Sequence, residues 1–238
     1  DYATGKIWAA LHDGKKLTWH EEIADTSLKI AGFAVTPEKE LLVVDQGSGL
    51  YRIIPTPPAE KTPEFPHKLS ETGIFTSVAD YKVTPGVVPY SVNSPGWVDG
   101  ATAKRHLALP GDMTLPFGGD RGWNLSEKAV IIQTLSIGDR RIETRLMTRQ
   151  HDEWAGYSYL WNKEQSEAEL VAGDGLDIEV EVAGKKQPWR IPGRAECMSC
   201  HSRADNFLLG ITANQLNRDH DYEDGRAPQL QTLKKLGV

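Results

Sequence analysis

Cysteine and methionine are scarce in this chain, with two of one and three of the other in 238 residues. Two thiols leave no third for an all-cysteine zinc site or a resolving partner, and they exclude a disulfide-dense scaffold. No apolar run reaches ~18 residues, which argues against a transmembrane helix. Positive charge is not in excess: the formal net charge is −6, so non-specific binding to nucleic acid is not expected. The sequence opens at Asp1-Tyr2 without a recognisable leader, which is expected to have been removed. The remaining composition, 39 % hydrophobic and 25 % charged, is that of an ordinary globular protein.

What is present turns on the two thiols. Both fall in one pentapeptide, Cys197-Met198-Ser199-Cys200-His201, the attachment signature of a covalently bound c-type haem. Two thiols separated by two residues near the start of a helix can add across the two vinyl groups of one porphyrin edge. The next residue, His201, then projects under the ring so that an imidazole nitrogen can bind iron. Cys197, Cys200 and His201 are therefore the expected haem-binding residues, for one haem c. Three plainer readings compete. A redox dithiol usually follows the first strand of a βαβ unit, whereas this motif follows strand-like segments near the C-terminal end. A zinc knuckle can draw a fourth ligand from His220, but it usually shows a second closely spaced pair. A disulfide across two intervening residues is strained.

Fourteen prolines and 22 glycines divide the chain into short pieces, a spacing that favours an all-β architecture. Residues 5–54 contain five apolar runs (6–11, 17–20, 30–35, 41–45 and 50–54) separated by turn signals such as His12-Asp13-Gly14-Lys15. That is the size of one four-stranded β-propeller blade. Residues 55–66 hold a proline-rich, semi-rigid stretch expected to be a linker. Residues 67–189 again read as β: 129–137, 140–148, 154–161 and 176–182 suit half-buried strands of a jelly-roll or immunoglobulin-like sandwich. Arg141, Glu143 and Arg145 alternate with Ile142, Thr144 and Leu146-Met147, which predicts one solvated face. Tyr157, Tyr159 and Trp161 share a face, where core packing is the favoured reading over a carbohydrate platform. His106 beside Lys104-Arg105 can attract an anion, but a solvated edge is the favoured reading. Residues 190–238 form a haem-attachment segment with two short helices, one capped by Thr212 and one over 229–236. The expected class is thus mainly β: a blade-like meander, a β-sandwich and a short C-terminal helical segment.

Two resemblances sharpen this outline. Gly5-Lys6-Ile7-Trp8, Asp13-Gly14-Lys15-Lys16 and Leu41-Leu42-Val43-Val44-Asp45 with Gly49-Leu50-Tyr51-Arg52 resemble the last blade of quinoprotein sugar dehydrogenases. Those are six-bladed propellers that oxidise aldoses with pyrroloquinoline quinone (PQQ). That family's quinone-binding and catalytic residues belong to other blades, so this chain alone is not expected to bind PQQ. The second resemblance rests on several separated motifs. They are Pro89-Tyr90-Ser91-Val92-Asn93-Ser94-Pro95, Trp97-Val98-Asp99-Gly100-Ala101, Lys104-Arg105, Arg141-Ile142-Glu143-Thr144-Arg145, Gly156-Tyr157-Ser158-Tyr159-Leu160-Trp161-Asn162, Trp189-Arg190-Ile191-Pro192 and Gln215-Leu216-Asn217-Arg218. They are similar to the β-rich module before the haem motif in large bacterial c-type cytochromes, planctomycete ones among them, and cover most of residues 65–238. In several such proteins the module follows a quinoprotein-like propeller.

The other side of the iron is less defined. Small soluble cytochromes c take a methionine well downstream of the motif, and no methionine follows Met198 here. Met198 lies inside the attachment loop and cannot swing across the ring. The candidates are His220, Met113 and Met147, a residue of another chain, or an open position. A sixth ligand restricts the haem to electron transfer, whereas an open position admits small molecules. The expected role is electron transfer to another haem or an external acceptor, with a redox partner protein and no catalytic centre in this chain. Two alternatives stand beside it: part of a PQQ-dependent sugar dehydrogenase–cytochrome fusion, and a haem-bearing subunit of a conductive polymer assembled by strand pairing between copies. Thioether attachment is an extracytoplasmic chemistry, so a periplasmic or extracellular location with a removed leader is expected.

Overall fold

The computed structural model describes residues 1–26, 28–47, 49–55, 64–111, 123, 125–150, 153–202 and 206–237. Most of the predicted linker, and Met113, lie outside these residues. The chain divides into two compact units, the first carried by Asp1–Pro63 and the second by Glu64–His201 with Asp205–Val238. Both are built mainly from antiparallel strands.

In the first unit all five apolar runs form strands. β1 (Ile7–His12) pairs with β2 (Leu17–Ala24), while β3 (Ile30–Val35), β4 (Leu41–Asp45) and β5 (Gly49–Arg52) make a three-stranded meander. The β1–β2 turn is held by Asp13, whose carboxylate accepts the backbone N–H groups of Lys15 and Lys16 at 2.9 Å. That is the turn chemistry expected of Asp, and it holds the Asp13 carboxyl below its ordinary pKa. The buried core is small: Ile7, Ile30 and Val43, with Ala24 and Leu28 against them. Many large apolar side chains stay exposed, among them Trp8, Leu11, Leu17, Phe33, Val35 and Leu50.

The second unit is organised by one six-stranded sheet. It runs in sequence order through β8 (Val87–Tyr90), β9 (Thr102–Ala108), β10 (Val130–Ile137), β11 (Arg140–Gln150), β12 (Glu153–Trp161) and β13 (Ala168–Leu170), antiparallel throughout. Gly138 supplies the left-handed turn (φ 58°) between β10 and β11. Ahead of the sheet lie a 3-10 turn at Leu69–Thr72 and the hairpin of β6 (Phe75–Ser77) and β7 (Lys82–Val83). After it comes the hairpin of β14 (Leu176–Val182) and β15 (Lys185–Ile191). The C-terminal segment contributes α1 (Arg194–Cys200), α2 (Ala213–Leu216), the hairpin of β16 (Asp219–Tyr222) and β17 (Gly225–Pro228), and α3 (Gln229–Lys235).

Both faces of the sheet are covered. On one, Ile132, Leu146, Tyr159 and Trp161 pack with Leu69, Ile74, Phe75 and Val78 from the segment before β8. The aromatic run of β12 is core here: Tyr159 is fully buried and donates its hydroxyl to the Pro66 carbonyl at 2.8 Å. On the other, Leu107, Ile131, Met147 and Trp154 pack with Leu208, Ile211, Leu216 and Leu233 of the C-terminal segment. A third cluster joins Leu135 and Ile142 to Val180, Trp189 and Ile191 of the β14–β15 hairpin.

Two expectations are corrected. The face of Glu143 and Arg145 is not solvated: Glu143 is 0 % exposed. A register shift between Leu135 and Ser136 sets Leu135 opposite Glu143 and Ser136 opposite Arg141, leaving Ile142 without a ladder partner in β10. Such a bulge breaks the period of two. Arg141 goes to the aromatic face, 4.1 Å from Trp161's ring centre. Glu143 goes to the opposite face and accepts from Trp189 Nε1 at 2.9 Å and from Arg145 Nε. His106 is not at a solvated edge either. It is 8 % exposed on β9, its ring 5.9 Å from Tyr81's, and its Nδ1 has no hydrogen-bond partner among the described residues.

Burial, reinforced by Lys104 and His220, pushes the His106 imidazole down to about 4 from 6.5. An unfolded chain takes up this proton near pH 6.5 and the folded one only near pH 4. Stability is therefore complete above pH 6.5 and is lost as the pH falls toward 4, by about 3 kcal/mol. Urea unfolding of His106→Phe should show a shallower acid limb than the parent. Equal slopes would contradict the assignment.

Candidate functional site

The Cys-x-x-Cys-His motif lies on and caps α1, a seven-residue helix pinned at its start and along one side. At the start, Glu196 accepts the Gly193 N–H at 2.7 Å and pairs with Arg190 at 2.9 Å. Arg190 is the largest cause of the lowered pKa of this carboxyl. The Arg194 N–H donates to the Gly173 carbonyl at 2.9 Å. A Cβ on Gly193 would stand 2.5 Å from that same oxygen, so the approach admits only glycine. Just before the helix, Ser158 of β12 donates to the Pro192 carbonyl at 3.0 Å.

Along its side, α1 rests on β12 at Gly156. A Cβ there would lie 2.6 Å from Cys197 Cβ, 2.8 Å from Cys197 Sγ and 3.2 Å from Met147 Sδ. Glycine inside a strand marks a close approach of another chain segment; here the segment carries Cys197. Gly156→Ala is expected to overpack this contact and destabilise the unit by about 1–3 kcal/mol. Urea midpoints check this, and an unchanged midpoint would mean that α1 does not sit on β12.

The motif's three functional side chains present different surroundings. Cys197 is half-buried and packs with Met198 against the Leu107–Ile131–Met147 cluster, while Cys200 is exposed. Both are free thiols. Burial raises the pKa of the Cys197 thiol, with Glu143 and Glu196 acting in the same sense and Arg145 opposing them. A catalytic dithiol needs the reverse, a thiolate stabilised at a helix N-terminus or by a cation. His201 caps the end of α1, its N–H donating to the Cys197 carbonyl at 3.0 Å. Its ring nitrogen Nδ1 lies 2.8 Å from the Phe207 carbonyl oxygen. A carbonyl only accepts, so Nδ1 carries the proton and the lone pair of the neutral ring is on Nε2. That is the orienting hydrogen bond of a metal-binding histidine.

The loop that delivers this carbonyl is conformationally unusual. Asn206 and Phe207 are both left-handed (φ 50° and 62°), a backbone state non-glycine residues enter at a cost. Asn206 Nδ2 donates to the Trp123 carbonyl at 3.1 Å, and Leu208, fully buried, anchors the loop in the core. Both thiols, the oriented imidazole and an apolar wall thus come from one stretch, which fits a covalently held haem.

The candidate sixth ligands are placed differently. Met147 is buried on β11 and shares the Gly156 contact with Cys197, which makes it the candidate brought beside the attachment helix. His220 is on β16, its Nδ1 2.8 Å from Ser91 Oγ and its ring edge-on to Tyr222 at 4.5 Å. Burial lowers its pKa, Asp221 raises it and Arg218 lowers it. Among the described residues no group of three or more His, Cys, Asp or Glu side chains is arranged to hold a metal ion.

Two motifs far apart in sequence meet beside the site. Asn93 Nδ2 donates to the carbonyls of Asn214 (2.7 Å) and Asn217 (3.2 Å), and Arg218 Nη1 donates to Val92 O at 2.5 Å. Thr212 caps α2 as expected, accepting from the Gln215 N–H at 3.3 Å. The Gln215 side chain instead accepts the Ser94 N–H at 2.8 Å. The fully buried Gln229 clamps Ser91 through both its backbone groups and donates to Leu216 O. Sequence reading singled out the 89–95 and 215–218 motifs and named Gly156 and Glu143, but missed the close approach at Gly156, the Phe207 carbonyl and the burial of Glu143. Only Gly156, a glycine within an apolar strand run, left a signal in the sequence.

No protein-family model, curated protein or solved structure matches this chain.

Proposed function

We propose that this chain is an electron-transfer module, a monohaem c-type cytochrome with haem bound through thioethers to Cys197 and Cys200 and ligated by His201. The hydrogen bond from His201 Nδ1 to the Phe207 carbonyl supports this reading best, since it readies Nε2 for iron beside two free thiols. When bound, the haem supplies a one-electron couple. The chain's own residues orient the imidazole, hold α1 against β12 and enclose the motif with Phe207, Leu208 and Met198. Electrons would arrive from a reduced quinone cofactor held elsewhere and leave to another haem or an external acceptor.

In this reading β1–β5 are the terminal blade of a quinoprotein-like propeller, and the six-stranded sheet with its hairpins is the β-sandwich module of the large bacterial cytochromes. The small core of the first unit and its exposed apolar side chains support the blade, because a blade buries its faces only against neighbours. Among the described residues no helix is long and apolar enough to cross a membrane; a periplasmic or extracellular location follows from the attachment chemistry. A spectroelectrochemical titration tests the function. One reversible one-electron transition of a low-spin haem is expected. Aldose-dependent haem reduction by the chain with added PQQ and Ca²⁺ would instead make it a dehydrogenase.

A further inference from the structure

The face of the sheet that receives α1 is divided into rows by the strand register. Gly156 pairs with Met147, Met147 with Ile131 and Ile131 with Leu107, forming an apolar row. Two residues along each strand, on the same face, lies a polar row in which Ser158 pairs with Arg145, Arg145 with Gln133, Gln133 with Arg105 and Arg105 with Tyr90. Cys197 sits at the Gly156 end of the apolar row. The C-terminal segment covers the apolar row, and a haem attached at Cys197 brings two anionic propionates, which need cations.

The two arginines of the polar row differ. Arg145 is already compensated by the buried Glu143. Arg105 is half-buried, and its guanidinium makes one long contact, 3.4 Å, to the Ala103 carbonyl. It has no carboxylate partner among the described residues, and its titratable neighbour is the phenol of Tyr90, itself buried and pushed up to about 12. Burial lowers the pKa of this arginine, as expected for a guanidinium partly withdrawn from water. β9 is three strand spacings from β12, roughly 14 Å. That is of the order of the distance across a porphyrin from its thioether edge to its propionate edge.

We infer that Arg105 is the cation that binds a propionate of the haem anchored at Cys197 and Cys200. The inference rests on the haem reading above. A guanidinium matches a carboxylate as a two-pronged donor, and its positive charge favours the reduced haem, which carries one more electron than the oxidised form.

The test uses the holoprotein with Arg105→Gln and Arg105→Lys. Full covalent haem is expected in both. Arg105→Gln should have a more negative midpoint potential that becomes pH-dependent, as a propionate without its cation takes up a proton. Arg105→Lys should restore most of the parent value. Resonance Raman of the parent should show the propionate bending mode of a hydrogen-bonded carboxylate, shifted in Arg105→Gln. If Arg105→Gln fails to fold, Arg105→Lys and the parent spectrum decide. Haem attached with parent potentials and an unchanged propionate mode overturns the inference alone. Absence of covalent haem from the parent overturns the underlying reading instead.

Discussion

Serine at both Cys197 and Cys200 is expected to abolish covalent haem completely and leave the β-sheet intact. Each change replaces a thiol by a hydroxyl of similar shape, and neither thiol is bonded to another residue's sulfur. Cys200 is exposed, so Cys200→Ser should lose one thioether with little effect on packing. Cys197 lies against Gly156 and the Met147 cluster, so Cys197→Ser should cost a modest amount of stability in addition to its thioether. The measurement is haem content after denaturation with acid and organic solvent, alongside circular dichroism of the apoprotein. Haem retained covalently by the double variant would show that some other chemistry holds it.

The second large effect lies away from the thiols. Glu143 is fully buried, with Arg145 and the indole of Trp189 as partners. Glu143→Ala leaves a half-buried guanidinium and a buried N–H without their acceptor, and about 3–5 kcal/mol of stability is expected to go with it. Removing both charges together, as Glu143→Leu with Arg145→Met, should recover much of that loss, because an apolar replacement of a buried pair is often neutral. Urea denaturation of the three proteins checks both statements. Equal losses in the single and double variants would mean that Glu143 acts through packing alone.

Strand positions were legible because they are local. The runs 129–137, 140–148, 154–161 and 176–182 become β10, β11, β12 and β14, since β-branched and aromatic alternation reports a half-buried surface. What alternation cannot report is which elements cover each face. Arg141, Glu143 and Arg145 look like a solvated stripe until the bulge at Ile142 separates them and Trp189 arrives from β15. His106 looks like a polar edge residue because its neighbours are Lys104 and Arg105, whereas on the folded sheet Tyr81 stands over it.

The candidate site divides along the same line. Cys197, Cys200 and His201 were visible as a spacing. The partner that orients His201 was not, because it is a backbone carbonyl, which any residue at 207 supplies. Its direction depends on two successive left-handed residues, Asn206 and Phe207, that nothing in their composition announces. The pairing of Asn93 and Arg218 with distant carbonyls was hidden for the same reason. Motifs can be read from side chains, but docking through backbone groups appears only in three dimensions.

The most direct measurement is the intact mass of the chain produced with a c-type cytochrome maturation system, followed by its spectrum in alkaline pyridine. The account predicts the polypeptide plus one haem, with a pyridine haemochrome of the double-thioether type, and loss of the added mass in Cys197→Ser/Cys200→Ser. A bare polypeptide mass, or haem that extracts freely into acidified solvent, would contradict it.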